Sequence, residues 1–267
     1  MAEEVFFEES MGPSTSPMTS APVYKKPNDS LHPPAPAPHT TFYLATIRPH
    51  TDTHTIVGPV RHFSHLLGQI MAVVSNSPAA IDKLEALRET KDAWGETLEV
   101  NEAFESHGFD TLVVPGQRGI YTVLKMERRV DEEVYEQLPA PVYTVIAAGP
   151  LGQSASSLAL ASDGKSVRKT GIGRPQGYAA TTRLLGSFVE RSEAMRAAQG
   201  AMQALTQDQG DVTVTENWDA RGTGTGVLMA MGTAGSMWEV RVVYEDQVLR
   251  RAREGLDLEG AQAGWRI

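Results

Sequence analysis

Cysteine is absent from the 267 residues, which excludes a disulfide framework, thiolate metal sites and a thiol nucleophile. Long apolar runs are missing as well. No stretch reaches the roughly 18 uninterrupted apolar residues of a membrane-spanning helix, so no membrane partner is expected. The first residues, MAEEVFFEES, have neither the basic start nor the apolar core of a secretory signal, and they are too acidic for a mitochondrial transit peptide. The expected location is therefore the cytoplasm or nucleus. Positive charge is in short supply: 24 Lys and Arg stand against 33 Asp and Glu, a net −9 that divides into −3 for residues 1–40, −6 for 41–138 and zero for 139–267. A nucleic-acid binder needs a basic face to meet phosphates, so nucleic acid is not an expected partner.

Several catalytic signatures are also missing. There is no HExxH zinc motif. Gly164-Lys165-Ser166 ends like a phosphate-binding loop, but Ala159 stands where the earlier glycine is required. The GTGTG run at 222–226 leads into an expected strand, not the helix whose N-terminus would hold a pyrophosphate. GQSAS at 152–156 departs from GxSxG at its last position. No cofactor is expected from these residues, and the chemistry leans away from an enzyme.

Eight of the sixteen prolines fall within the first 38 residues, mixed with Ser, Thr and Ala. Such composition has few backbone donors and little apolar surface, so residues 1–39 are expected to form a disordered head with polyproline II character. Ordered sequence begins at TTFYLATI (40–47), whose aromatic and β-branched residues predict a strand. The texture returns one hundred residues later in PVYTVIAA (141–148). Leu66-Leu67-Gly68 similarly matches Leu184-Leu185-Gly186, and each leads through a short apolar run to a serine suited to cap a helix: Ser77 before Pro78, and Ser192 before Glu193. Ala80, Ile81, Leu84 and Leu87 then share one helical face, as do Ala194, Ala198, Met202 and Leu205.

Beyond the helices, PGQRG and GTAG supply tight-turn chemistry between alternating apolar runs, so each half should close in a hairpin. Phe104 aligns with Trp218 and Tyr121 with Trp238, an arrangement expected to place equivalent aromatic plugs in two cores, the alternative being that they line a groove between the copies. The pattern predicts an α+β fold: tandem duplicated modules at 40–138 and 139–267, each an antiparallel sheet covered by one helix. The second is followed by a short helix near 246–254 and a tail. Segment 62–75 fits either a strand parallel to 184–190 or a helical stripe through Phe63, Leu66, Ile70 and Val74.

In this texture the chain resembles small proteins of filamentous fungi that carry no assigned activity. The resemblance rests on a VYTV-type strand (143–147), an apolar run with a serine-capped Ala-rich helix (184–205) and a closing hairpin containing Trp (218–245), echoed in the first half. It implies the strand-strand-helix-strand-strand unit and brings no catalytic residue with it.

Two clusters carry candidate chemistry. His50, His54, His62 and His65 lie within sixteen residues, but His50 and His54 flank a Thr-rich turn where helical ligand spacing is not expected, which favours a polar surface loop over a metal site. Lys165, Arg168, Lys169 and Arg174 lie in the glycine-rich stretch 164–183 with no acidic residue among them, so an anion site there competes with a solvated loop. The leading expectation is a non-enzymatic module that binds a protein partner. The alternative is an accessory enzyme or small-ligand binder that uses a cleft between the two modules.

Overall fold

The computed structural model describes residues 21–91, 97–153, 175–218, 225–232 and 235–246. Strand β1 (Thr40–Arg48) turns through a short 3-10 segment into β2 (Thr53–Val60), and the pair is antiparallel. A second 3-10 turn (Phe63–Leu66) leads into helices α1 (Leu67–Val74) and α2 (Pro78–Arg88). Ser77 occupies the N-cap of α2 and Pro78 its first turn, where a missing N–H costs nothing. The small hairpin β3 (Glu89–Lys91) and β4 (Thr97–Val100) precedes α3 (Glu102–His107), capped by Asn101, whose side chain accepts from Phe104 N at 3.3 Å. Strands β5 (Thr111–Pro115) and β6 (Tyr121–Val130) complete a sheet of order β2-β1-β6-β5.

Helix α4 (Glu132–Gln137) joins this module to the next, with Asp131 accepting from Val134 N at 3.0 Å. The second module comprises β7 (Val142–Gln153), β8 (Pro175–Gln176), α5 (Tyr178–Thr181), β9 (Arg183–Phe188), α6 (Arg191–Thr206), β10 (Val212–Trp218), β11 (Gly226–Gly232) and β12 (Met237–Glu245). Its strands run β10-β11-β12-β7, and β9 and β8 pair successively along the free side of β7. The protein is thus α+β with two antiparallel sheets.

Each sheet hides one face beneath helices. Phe42 and Leu44 of β1, with Leu124 of β6, meet Ile70, Leu84 and Phe104 from α1, α2 and α3. Val145, Val240 and Trp238 meet Ala194, Ala198 and Met202 of α6, where the small residues let the helix approach closely. The other faces turn toward each other. Strand β1 is consequently buried on both sides, which is why TTFYLATI carries no charged residue. Between the sheets Tyr43 OH donates to Ser187 Oγ at 2.9 Å, Ser187 Oγ lies 2.8 Å from Thr144 Oγ1, and Arg129 donates to Leu184 O at 3.0 Å. Burial raises the Tyr43 phenol above its usual value, and its bond to Ser187 offsets part of that.

Both expected closing hairpins form, and the described residues at the ends of their turns match. Gly116 N donates to Ile120 O at 2.8 Å and Gly232 N to Ser236 O at 2.9 Å, while Gly119 (φ 77°) and Gly235 (φ 76°) take the left-handed conformation that favours glycine.

Several expectations need correction. Residues 63–74 are helical, so they do not parallel 184–188; the strand that occupies the place of β9 in the first sheet is β2. Phe63, Leu66, Ile70 and Val74 all point into the core from that helical stripe. The first sheet is covered by three helices instead of one. Phe104 sits on a helix in the core, whereas Trp218 ends an edge strand, half-buried; Tyr121 packs with Ile47, Val123 and Ala179, whereas Trp238 lies in the core beneath α6. Residues 21–39, expected to be part of a solvated head, lie against the first module. Ser30 bridges Thr111, and Asp29 accepts from Val113 N at 2.6 Å and pairs with Lys83 at 2.7 Å. The expected helix at 246–254 falls outside the described residues from 247 onward.

Candidate functional site in the seam between the sheets

The seam is set by the β1–β2 turn. Asp52 closes that turn in the left-handed region (φ 49°), and its carboxylate accepts from Gly177 N at 2.7 Å and Ala179 N at 2.9 Å. A carboxylate on two free amides of a helical first turn is a charge-assisted cap, here supplied by the other module. It fixes α5 against β2. Gly177 itself has φ 112°, and a Cβ there would come within 2.9 Å of the Pro22 ring, so glycine serves both the backbone and the close approach.

Two residues past Asp52, alternation along β2 turns His54 toward the second sheet. His54 and Thr182 border two cavities. The first, about 190 Å³, is walled by Ile56 of β2, Ile146 and Ala148 of β7 and Val243 of β12, with Tyr178, Glu239 and Arg241 at one side. The second, about 290 Å³, lies beneath Tyr24 and Pro27 of the N-terminal segment and carries Lys125, Glu127 and Arg183.

Neither ring nitrogen of His54 has a hydrogen-bond partner, nor does Thr182 Oγ1. Burial pushes the His54 imidazole down from 6.5 to about 4; Glu127 and the backbone of Ala179 favour its protonated form, and Lys125 opposes it. The Ala179 backbone lies close enough to the ring to favour the proton, although the contact falls outside strict hydrogen-bond geometry. At neutral pH the ring is therefore uncharged, with one N–H to give and one lone pair to accept.

Glu239 is 5% exposed, and its charge is fully matched. Tyr178 OH donates to one carboxylate oxygen at 2.7 Å, Arg241 pairs with the other, and the Arg241 guanidinium lies 5.8 Å from the centre of the Tyr178 ring. A carboxylate held from two sides tolerates burial that would otherwise be severe.

A larger groove of about 510 Å³ opens elsewhere on the first module, between Pro36–Thr40, Arg61–Ser64 and α3. Its one arginine is occupied: Arg61 donates to Tyr135 O and Glu136 O, both at 2.7 Å, and covers the Tyr135 ring.

The histidine cluster is dispersed. His54 faces the seam, His62 and His65 contact each other at 5.5 Å on the 3-10 turn, and His50 is exposed. Among the described residues no group of three or more His, Asp or Glu is placed to hold a metal ion. Lys165, Arg168, Lys169 and Arg174 lie outside the described residues; Arg183, at the end of the same basic stretch, sits on β9 at the rim of the 290 Å³ cavity. Sequence reasoning missed the Tyr178–Glu239–Arg241 group, Thr182 and the role of Asp52. The one available signal was His54, a lone imidazole within a β-branched strand. Comparison with protein-family models, curated proteins and solved structures finds no match to the chain. The resemblance to fungal proteins thus rests on sequence texture alone.

Proposed function

We propose that the protein binds a small molecule in the seam between its two sheets. The observation that carries this is a cavity of about 190 Å³ whose apolar walls, Ile56, Ile146, Ala148 and Val243, meet the polar side chains of His54, Tyr178, Thr182, Glu239 and Arg241. An apolar pocket edged by a few convergent polar groups is the usual form of a small-molecule site. This favours ligand binding over a protein-interaction module. It also favours binding over proton abstraction, because an imidazole with a conjugate acid near 4 is a weak base at pH 7. The same reading takes the modules as copies of one unit, supported by the shared orders β2-β1-β6-β5 and β9-β7-β12-β11 and by the paired glycine turns.

The test is a fragment screen on the full chain, read from imidazole NMR signals of the seven histidines. Binding compounds should move His54, and Val243→Phe, which fills the smaller cavity, should abolish that response. Compounds that move His39 and His62 while leaving His54 still would assign the site to the open groove instead.

A further inference from the structure

The second sheet is wider than the first, six strands against four, and its seam face extends past the first module. Tyr43 and Arg129 bond to β9, and β2 closes the smaller cavity against β7 and β12. Strands β11 and β10 lie beyond. Leu228 and Ala230 of β11 turn to α6, so alternation and the β10–β11 register set Thr213, Thr215, Asn217, Val227, Met229 and Met231 on the opposite face. Met229 and Met231 are 37% and 42% exposed. A sheet face left to water is ordinarily rich in charged side chains, whereas these six positions carry three apolar groups, two hydroxyls and an amide. Methionine adapts its shape to whatever covers it, which suits a surface that receives another segment.

The chain itself brings a segment to this place. Strand β12, the neighbour of β11, ends at Glu245, and residues 247–267 follow Asp246. Val227 pairs with Arg241 and Met231 with Met237, so the uncovered shelf lies beside positions five to nine residues before Asp246, roughly 17 to 31 Å back along the strand. Residues 247–267 could span about 70 Å if extended, so a single turn lets them reach all of it. Their sequence has the matching chemistry. Val248, Leu249 and Ala252 share one face at helical spacing with Arg250 and Glu254 opposite, and Leu256, Leu258, Trp265 and Ile267 come after.

We infer that segment 247–267 folds back over β11 and β10 and covers Met229 and Met231 with the apolar face of Val248, Leu249 and Ala252. This cover is independent of any ligand in the seam.

The experiment is oxidation of the full chain by dilute hydrogen peroxide, followed methionine by methionine by peptide mass spectrometry. Met71 on α1, also 42% exposed, is the internal reference. With the segment docked about nine-tenths of the time, Met229 and Met231 should oxidise about tenfold more slowly than Met71. The protection should be the same at every protein concentration and should vanish when Val248→Glu and Leu249→Glu are combined. Both substitutions lie outside the two cores, and a second reading uses the unsubstituted apolar face: a nitroxide on Glu254→Cys, the only thiol in the chain, should broaden the methyl signals of Met229 and Met231 and spare that of Met71. Equal oxidation rates for the three methionines, or no broadening, would overturn the inference. Protection that survives the double substitution would overturn it too, assigning the shelf to a second copy if it grows with concentration and to another part of the chain if it does not.

Discussion

The first sheet has two faces and two kinds of neighbour. On one, Phe42, Leu44 and Leu124 meet three helices in an interior dominated by apolar side chains. On the other, the same strands present Tyr43, and β2 presents His54, to a second sheet. The helix-covered face has the aromatic edge-to-face contacts of a closed core, Phe63 lying 5.3 Å from Phe104 and 6.1 Å from Phe109. The seam is held at discrete points, by the Tyr43–Ser187–Thr144 chain, the Arg129 bond and the Asp52 cap, and between those points it keeps space and polar atoms without partners. The helical faces thus stabilise the modules, and the seam is the region where chemistry is left available.

Four predictions would sharpen or break that contrast. The largest effect is expected for Trp238→Ala, which empties a 2% exposed position under α6 and should cost about 3–5 kcal/mol by denaturant unfolding. Trp218→Ala, at the half-buried edge, should cost clearly less, and equal losses would contradict the assignment of one tryptophan to the core and the other to the rim. The next is a pH effect. His54 has a folded value of about 4 against 6.5 in the unfolded chain, so the unfolded state binds the proton first on acidification. Stability from this group is complete above 6.5 and is lost as pH falls toward 4, by at most about 3 kcal/mol. His54→Gln should flatten that part of the stability profile between pH 7 and 4, and an unchanged slope would show the ring to be solvated.

Ser187→Ala comes third. It strips the hydrogen-bond partner from both Tyr43 and Thr144 in a buried setting and should cost about 1–3 kcal/mol. A neutral outcome would mean that water enters the seam there. The smallest effect, about 1 kcal/mol, is expected for Asp29→Ala, which removes the acceptor of Val113 N and the partner of Lys83. No change in the melt would return residues 21–39 to the solvated head that their composition suggests.

How far the sequence carried the fold differs from element to element. The doubly buried β1, the amphipathic helices α2 and α6 and the two glycine-turned hairpins were legible because each writes its environment into a local pattern. Segment 62–75 was not settled, since a serial likeness between Leu66-Leu67-Gly68 and Leu184-Leu185-Gly186 competed with spacings of three and four among Phe63, Leu66, Ile70 and Val74, and the helical spacing prevailed. The order of residues 21–39 was hidden because it depends on single polar anchors such as Asp29, which leave no periodicity. The seam site was hidden for a different reason: His54, Ile146, Thr182 and Glu239 come from four distant segments, and only the docking of two sheets brings them together.

The most direct test of that docking is an NMR titration of the His54 imidazole in the full chain. The account predicts a value near 4, well below the ordinary 6.5, because the second sheet buries the ring. A His54 that titrates near 6.5 would contradict it.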